Sequence, residues 1–212
     1  WKRPHADSEP WFLRTNETLT YLAITKDFVT YKRLGRITDA REDDRDVVIF
    51  PRKINGKFYM ISRPVIGEDR SMWISSSDDL MEWRTRQKLY SGVEEWESGR
   101  VGAGCPPIET QDGWVLIYHG VSKTDSCYRV GLMLLDKENP EKILARTKDF
   151  VLEPSADYEK SGLYQGCVFP TGAVVKDGTI YVYYGCADKY VSLATAKMDD
   201  VLKCLKLPEN KF

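Results

Sequence analysis

The chain lacks the features that mark membrane proteins and nucleic-acid-binding proteins. No apolar run approaches the roughly 20 residues that a membrane-spanning helix needs. No run of lysine and arginine is long enough to follow a phosphate backbone. The formal net charge is −1, from 31 basic and 32 acidic residues. We therefore expect neither a membrane nor a nucleic acid as a partner.

Patterns for metal binding and disulfide bonding are missing as well. The five cysteines are odd in number and contain no CxxC pair, and the chain has only two histidines. These counts favour neither a metal site nor a disulfide framework, and no organic cofactor is indicated. Reduced, partly buried thiols are typical of cytoplasmic proteins, so we expect a cytoplasmic location.

Helical spacing of apolar residues is scarce, and the usual start of a chain is absent. Only residues 199–205 have the pattern of a short helix. The sequence begins at Trp1, without an initiator methionine or the apolar core of a signal peptide. We therefore expect a fold with little helix, in a chain that starts within a longer protein or has been processed.

What the chain does contain is one pattern that occurs three times, at intervals of about 60 residues. The copies are NGKFYMIS, DGWVLIYH and DGTIYVYY, at residues 55–62, 112–119 and 177–184. Asn-Gly and Asp-Gly favour tight hairpin turns in which both residues have positive φ. The β-branched and aromatic residues that follow each turn are typical of a buried strand.

Further strand candidates flank each copy. Apolar runs precede the copies at residues 46–50, 102–108 and 168–175, and others follow them at residues 72–76, 128–135 and 191–196. An earlier candidate at residues 19–24 leads into a polar turn at 25–31 that is similar to the turn at 77–83. Three or four strands per repeat of this length are typical of a β-propeller.

We therefore predict an all-β fold, a partial propeller of about three and a half blades. It forms a single domain over residues 1–212, in which residues 1–18 stay unplaced. Such a partial ring leaves sheet edges exposed unless something pairs with them, so we expect additional sequence before Trp1.

Four segments together resemble glycoside hydrolase family 130, whose members are mainly β-mannoside phosphorylases with five-bladed propellers. They are DRDVVIFPRKING at residues 44–56 with SRP at 62–64, RVGAGCPPI at 100–108, GWVLIYHGV at 113–121 and YYGCAD at 183–188. The segments occur in the order typical of the family, and the resemblance extends from residue 19 to residue 203.

The resemblance implies inverting phosphorolysis of a β-mannoside, which gives α-mannose 1-phosphate and a shortened acceptor. Such an enzyme needs one acid and a cradle for the attacking phosphate, whereas an inverting hydrolase needs an acid and a base. The implied partners are a β-mannoside oligosaccharide and inorganic phosphate as co-substrate, and assembly into a homo-oligomer stays open. The family's acid belongs to an Asp-Pro-Arg motif that is not found in this sequence, so the catalytic acid is unassigned.

Three arginines, Arg45, Arg63 and Arg100, occupy equivalent places next to strands of successive repeats. In a propeller such places surround the central channel, where converging guanidinium groups need an anion between them. By resemblance the three arginines hold the attacking phosphate. The alternative is that each forms a structural ion pair. The carboxylates available for such pairs are Asp44, Asp46 and Glu97.

Further site residues are assigned by resemblance. His119 and Tyr128 lie beside the phosphate, with a hydrogen-bonded core imidazole and ordinary aromatic packing as the respective alternatives. Asp188 accepts hydrogen bonds from mannose hydroxyls, unless it only caps a turn. Asp46 stands where the family commonly has asparagine, and it belongs to the substrate site or bridges a neighbouring arginine.

Two other functions stay open: a β-mannosidase of the same family, and a non-catalytic carbohydrate-binding propeller fragment. The arginines favour the phosphorylase, because family members that hydrolyse lose the basic cluster, whereas the absent Asp-Pro-Arg motif favours the fragment. Among Trp83, Trp96 and Trp114 we look for a sugar platform, although core packing is favoured for Trp114. We predict that the main site residues surround one cavity. These are Arg45, Arg63, Arg100, His119 and Asp188.

Overall fold

The computed structural model describes residues 18–39 and 42–212, which fold mainly into β-strands. The segment 1–18 lies outside these residues, apart from Thr18. Within the described residues the strands form four antiparallel sheets, and most neighbours in a sheet follow one another in the sequence. The expected mostly-β architecture is therefore confirmed.

The strands are divided among the sheets as follows. The first sheet pairs β1 (Tyr21–Ile24) with β2 (Lys32–Arg36). The second contains, in spatial order, β3 (Asp44–Ile49), β4 (Phe58–Pro64), β5 (Met72–Ser77) and β6 (Trp83–Tyr90). The third contains β7 (Arg100–Ala103), β8 (Ile108–Glu109), β9 (Trp114–Val121), β10 (Tyr128–Leu135) and β11 (Ile143–Arg146), with β7 and β8 both paired to β9. The fourth contains β12 (Val168–Lys176), β13 (Thr179–Cys186) and β14 (Tyr190–Lys197).

Two α-helices interrupt this pattern, α1 (Asp157–Lys160) and α2 (Met198–Leu205). The predicted terminal helix is confirmed by α2, whereas α1 was not anticipated because four residues are too few to show helical periodicity. Nowhere in residues 18–39 and 42–212 is a helix both long and apolar enough to cross a membrane.

The strands predicted from the three repeats all form. They are β4, β9 and β13, with their predicted neighbours on either side. Three outer strands, β2, β6 and β11, escaped prediction. In β2 (KRLGR) and β6 (WRTRQKLY) polar and charged residues occupy most positions, because an outer strand turns one face to water and has no continuous apolar run.

Two of the three predicted hairpin turns have the expected backbone. φ is 48° and 82° at Asn55 and Gly56, and 50° and 68° at Asp177 and Gly178. The third turn is different, since only Gly113 has a positive φ, of 141°. A Cβ atom at Gly113 would lie 2.2 Å from the carbonyl oxygen of Leu135. This glycine is therefore needed for close approach to β10 as well as for the turn.

Two polar turns of seven residues, which we call the aspartate turns (residues 25–31 and 77–83), share one hydrogen-bond pattern. In each, the hydroxyl of the first residue accepts backbone N–H groups two and three positions later, and the carboxylate of the third residue does the same. These acceptors are Thr25 and Asp27 in one turn, and Ser77 and Asp79 in the other. The predicted similarity of the two turns is confirmed.

The apolar core lies between neighbouring sheets. Phe50, Met72 and Trp114 are buried between the second and third sheets, and the rings of Phe50 and Trp114 meet edge to face at 5.2 Å. Val168 and Leu205 belong to a second cluster between the third sheet, the fourth sheet and α2. The sheets are thus joined by apolar side chains on their inner faces.

Two carboxylates are buried in this core in similar settings. Glu97 accepts hydrogen bonds from the hydroxyls of Tyr90 and Tyr118, and from two backbone N–H groups of the loop before it. Glu159 accepts the hydroxyl of Tyr184 at 2.7 Å and two backbone N–H groups of its own loop. Each glutamate thereby fixes a loop to the long central strand of its sheet.

The fourth sheet leaves apolar side chains uncovered on one face. Val174, Tyr183 and Leu193 are 55%, 44% and 46% exposed, and Tyr183 is paired directly with Leu193 across β13 and β14. Exposed apolar residues in one contiguous row are typical of a surface that packs against another element. Within the described residues, therefore, this face of the fourth sheet has no element packed on it.

Candidate active site

The candidate site begins at a β-bulge in β3. Arg45 pairs with Arg63 of β4, but the next regular pair is Val48 with Ile61, so two residues of β3, Asp46 and Val47, lie opposite the single residue Ser62. Asp46 has a φ of 53°, in the left-handed region. In a regular strand Asp46 would point to the face opposite Arg45 and Arg63. The bulge instead turns its carboxylate toward Arg63.

Asp46 and Arg63 form a buried ion pair. The Nε atom of Arg63 donates to Oδ2 of Asp46 at 2.6 Å, and the two side chains are 8% and 11% exposed. The Arg63 guanidinium makes no other hydrogen bond within residues 18–39 and 42–212. Its two terminal nitrogens therefore keep their N–H donors for another group. The pair neutralises part of the positive charge without using the whole guanidinium.

His119 lies directly behind this pair. It is fully buried in β9, and its Nε2 is 3.4 Å from Oδ2 of Asp46. Burial lowers the pKa of His119 to about 4, an effect that Asp46 opposes and Arg63 reinforces. The imidazole is therefore neutral near pH 7, and neither ring nitrogen has a hydrogen-bond partner. A buried polar group in that state is costly unless something binds to it.

Gly102 makes this close packing feasible. It pairs with His119 across β7 and β9, and a Cβ atom there would lie 2.2 Å from Oδ2 of Asp46 and 2.6 Å from Cε1 of His119. Both distances are far below van der Waals contact. Only glycine fits between the carboxylate and the imidazole.

We expect Gly102→Ala to lower the melting temperature by several degrees and to abolish anion binding, because the new methyl group must displace Asp46 or His119. Gly172→Ala is the matched control, since Gly172 also lies in a first strand, β12, and has nothing within 4 Å of its added Cβ. Thermal denaturation of the two variants would test the claim. Equal melting temperatures would contradict it.

Arg100 and Tyr128 form the next part of the site. Nη2 of Arg100 donates to the Tyr128 hydroxyl at 2.6 Å, and the guanidinium lies 4.9 Å from the centre of the Tyr128 ring. Burial raises the pKa of Tyr128, and Arg100 opposes that rise. The ring of Tyr128 also lies 5.5 Å from that of His119, which connects Arg100 to the Asp46–Arg63 pair.

Aromatic rings close the site on the side of the fourth sheet. Phe169, in β12, lies 4.6 Å from the His119 ring and 5.8 Å from the Tyr128 ring. Tyr164 meets Tyr128 edge to face at 5.2 Å. The sequence analysis did not identify either residue. For Phe169 a signal existed, because it lies in the first strand of its sheet, as Asp46 and Gly102 do in theirs.

Arg45 has a carboxylate partner that the sequence analysis did not name. Its Nε and Nη2 atoms donate to the two oxygens of Asp43 at 2.9 and 2.6 Å, and the side chain is 37% exposed. The hydrogen bond to Asp43 raises the pKa of Arg45, and the charges of Asp46 and Tyr128 contribute to that rise. Arg45 therefore lies on the open side of the same cluster.

The other carboxylates proposed as arginine partners point elsewhere. Asp44 is 3% exposed, and desolvation raises its pKa to about 6. Its nearest basic group is Arg86 of β6, with Oδ2 and Nη2 3.8 Å apart. Glu97 lies in the core network described above, so the proposed pairing of Glu97 with a site arginine is wrong.

Asp188 lies at the rim of the cluster. It follows β13, is exposed, and has a φ of 55° after an Ala187 with a φ of 49°. Burial raises the pKa of Cys167 to about 12; Asp188 adds to the rise and Arg100 opposes it, so both residues are near that thiol. The structure links Arg45, Arg63, Arg100, His119 and Tyr128 more closely than it links Asp188 to any of them.

Two of the three tryptophans considered for a sugar platform belong to the core. Trp114 is fully buried and Trp96 is 6% exposed, and their indole N–H groups donate to the carbonyls of Lys137 and Lys148. The platform hypothesis is therefore wrong for these two. Trp83 is half-buried in an aspartate turn, where it donates to the carbonyl of the turn's fourth residue, and its role in sugar binding stays a prediction.

The chain is similar to known proteins over most of its length. Over residues 14–207 the sequence matches the model of glycoside hydrolase family 130, described as beta-1,4-mannooligosaccharide phosphorylase. The chain belongs to this family.

Individual relatives are phosphorylases of β-mannosides. The 1,2-beta-oligomannan phosphorylase of Thermoanaerobacter sp. (strain X514) is 43% identical over 181 residues, which are 85% of this chain and 59% of that protein. The beta-1,2-mannobiose phosphorylase of Listeria innocua is 40% identical over 190 residues, which are 88% of this chain and 52% of that protein. A solved structure of the Listeria innocua beta-1,2-mannobiose phosphorylase, in complex with beta-1,2-mannobiose, has a TM-score of 0.83 at 39% identity and covers 88% of this chain and 53% of that one. The chain thus spans 52–59% of the length of these relatives.

Proposed function

We propose that this chain carries the phosphate-binding side of a β-mannoside phosphorylase active site, on about three and a half blades of a five-bladed propeller. In this arrangement the second, third and fourth sheets are blades, and the first sheet is part of another. The uncovered face of Val174, Tyr183 and Leu193 packs against a further blade. The relatives named above, which are longer than this chain, support the proposal.

One observation carries the functional part of the proposal. His119 is fully buried, neutral and without a hydrogen-bond partner, and the charges of Arg63 and Arg100 both reach it. Asp46 balances one of the two guanidinium charges, which leaves one positive charge and the unpartnered imidazole for a further group that carries negative charge and accepts hydrogen bonds. Inorganic phosphate meets both requirements.

The reaction then proceeds with the phosphate as nucleophile. A phosphate oxygen forms a bond to the anomeric carbon of the β-mannoside while the bond from that carbon to the glycosidic oxygen breaks. The departing oxygen takes a proton from a carboxylic acid, and inversion gives α-mannose 1-phosphate. The carboxylates described at the cluster, Asp43 and Asp46, are both bound to arginines, so we assign the acid to a residue outside residues 18–39 and 42–212. We assign to Asp188, at the rim, the acceptance of hydrogen bonds from sugar hydroxyls.

Phosphate titration by calorimetry tests this function on the chain itself. We expect binding at millimolar concentration or tighter, and a loss of about tenfold or more for Arg100→Gln, because one hydrogen bond from a charged group is removed. Arg84→Gln is the matched control, since Arg84 is 69% exposed on the outer strand β6 and pairs with Glu82. No binding by the wild-type chain, or equal binding by Arg100→Gln, would rule out the phosphorylase and return the mannosidase and the non-catalytic propeller to first place.

A further inference from the structure

Asp46 places a carboxylate at the centre of a site that is otherwise built for an anion. Its Oδ2 atom accepts from Arg63 and lies 3.4 Å from His119. Its Oδ1 atom has no hydrogen-bond donor among the described residues, although only 11% of the side chain is exposed. A carboxylate oxygen in that position repels a fully deprotonated anion and attracts one that still carries a proton.

The position of Asp46 is fixed by its surroundings. The bulge sets its left-handed backbone, the Arg63 Nε atom holds Oδ2, and the missing side chain of Gly102 leaves the space that Oδ2 occupies on the β7 side. The charged and titratable groups that face it are Arg45 on its own strand, Arg63 on β4 and His119 on β9. Arg45 and Arg63 can only donate, and a neutral His119 has one uncharged acceptor nitrogen, so the free oxygen of Asp46 is the charged acceptor of the cluster for a ligand hydroxyl.

We propose that Asp46 is a specificity-determining residue that selects a protonated oxyanion, monohydrogen phosphate, by accepting its P–O–H hydrogen bond while the arginines bind the remaining oxygens. The inference rests on the proposed function and adds to it the protonation state of the bound anion. Sulfate has the same shape and charge but no proton at neutral pH, so it meets the carboxylate without a hydrogen bond. The site therefore binds phosphate and rejects sulfate by repulsion as well as by the missing bond.

Four oxyanions test this proposal on the wild-type chain without any substitution. Phosphate and arsenate keep one proton near pH 7.5, whereas sulfate and selenate keep none. In calorimetric titrations at constant ionic strength, we expect phosphate and arsenate to bind at least tenfold more tightly than sulfate and selenate, which corresponds to about 1.4 kcal/mol. Equal affinity for all four anions would overturn the inference but leave the proposed phosphate site intact. Binding of none of them would overturn the phosphate site itself.

Two matched variants assign the selectivity to Asp46. Asp46→Asn keeps an oxygen for Arg63 and a residue type that tolerates positive φ, and it removes the negative charge. We expect its ratio of phosphate to sulfate affinity to fall to within threefold of one, mainly because sulfate binds more tightly. Asp43→Asn removes a carboxylate whose two oxygens are both occupied by Arg45, so the ratio should keep its wild-type value even if both affinities change. A wild-type ratio in Asp46→Asn, or a lost ratio in Asp43→Asn, would show that Asp46 does not make the selection.

Discussion

Replacing Arg63 with alanine should weaken phosphate binding by one to two orders of magnitude and also destabilise the fold by about 3–5 kcal/mol. The first effect follows from the loss of two terminal nitrogens that are available to the anion. The second follows from the Asp46 carboxylate, which is 11% exposed in the native chain and loses its partner at 2.6 Å. Because the ion pair is buried, this substitution should be more damaging than the loss of an arginine on the surface.

The two effects of the Arg63 substitution can be separated. The double variant Arg63→Ala with Asp46→Ala removes both charges, so it should recover much of the lost stability while phosphate binding stays weak. Arg63→Lys keeps the charge but not the planar pair of donors, and we expect intermediate binding. Urea denaturation measures the stability, and calorimetry measures the binding. Full phosphate affinity in the folded double variant would show that Arg63 only balances Asp46.

Glu97→Ala should be among the most destabilising single substitutions in the described chain, at about 3–5 kcal/mol. The change leaves the hydroxyls of Tyr90 and Tyr118 and two backbone N–H groups without their shared acceptor inside the core. Burial, reinforced by Glu97, raises the pKa of both tyrosines well above the usual value, so both hydroxyls keep the protons that they donate to Glu97.

Thermal denaturation provides the measurement for the Glu97 variant. For a chain of this size we expect the melting temperature to fall by roughly 10 °C. Glu95→Ala is the matched control, because Glu95 lies two residues away, is exposed and accepts one hydrogen bond from the Ser122 hydroxyl. A decrease for Glu97→Ala no larger than that for Glu95→Ala would mean that the network adds little to stability.

Much of the fold could be predicted from sequence because the central strands are defined locally. The turn at Asn55 and Gly56 and the apolar run behind it identify β4 without any tertiary information. Strands β2, β6 and β11 could not be found in the same way. Strands β2 and β6 are largely exposed and β11 has only four residues, so none of them has a long apolar run, and their pairing is decided by the turn before them and by the neighbouring strand.

The candidate site was predictable in its residues more than in its contacts. Arg63, Arg100 and His119 were identified and are close together, but the partner of each depends on how strands pair. The bulge at Asp46 reverses the face on which that side chain lies, and no alternation rule shows a bulge in a sequence. Asp43, and not Asp44, pairs with Arg45, because residues two positions apart lie on the same face of an extended chain.

The aspartate turns have a consequence for the order in which the molecule folds. Their hydrogen bonds join residues two or three positions apart, so closing either turn costs little loop entropy. Each turn also sets the register of an outer hairpin, through the pairs Ile24 with Lys32 and Ser77 with Trp83. Such hairpins form on a timescale of roughly microseconds. The contact of Asp46 with His119 joins distant parts of the chain and must wait for the second and third sheets to dock. The two outer hairpins therefore form early, and the anion site is completed late.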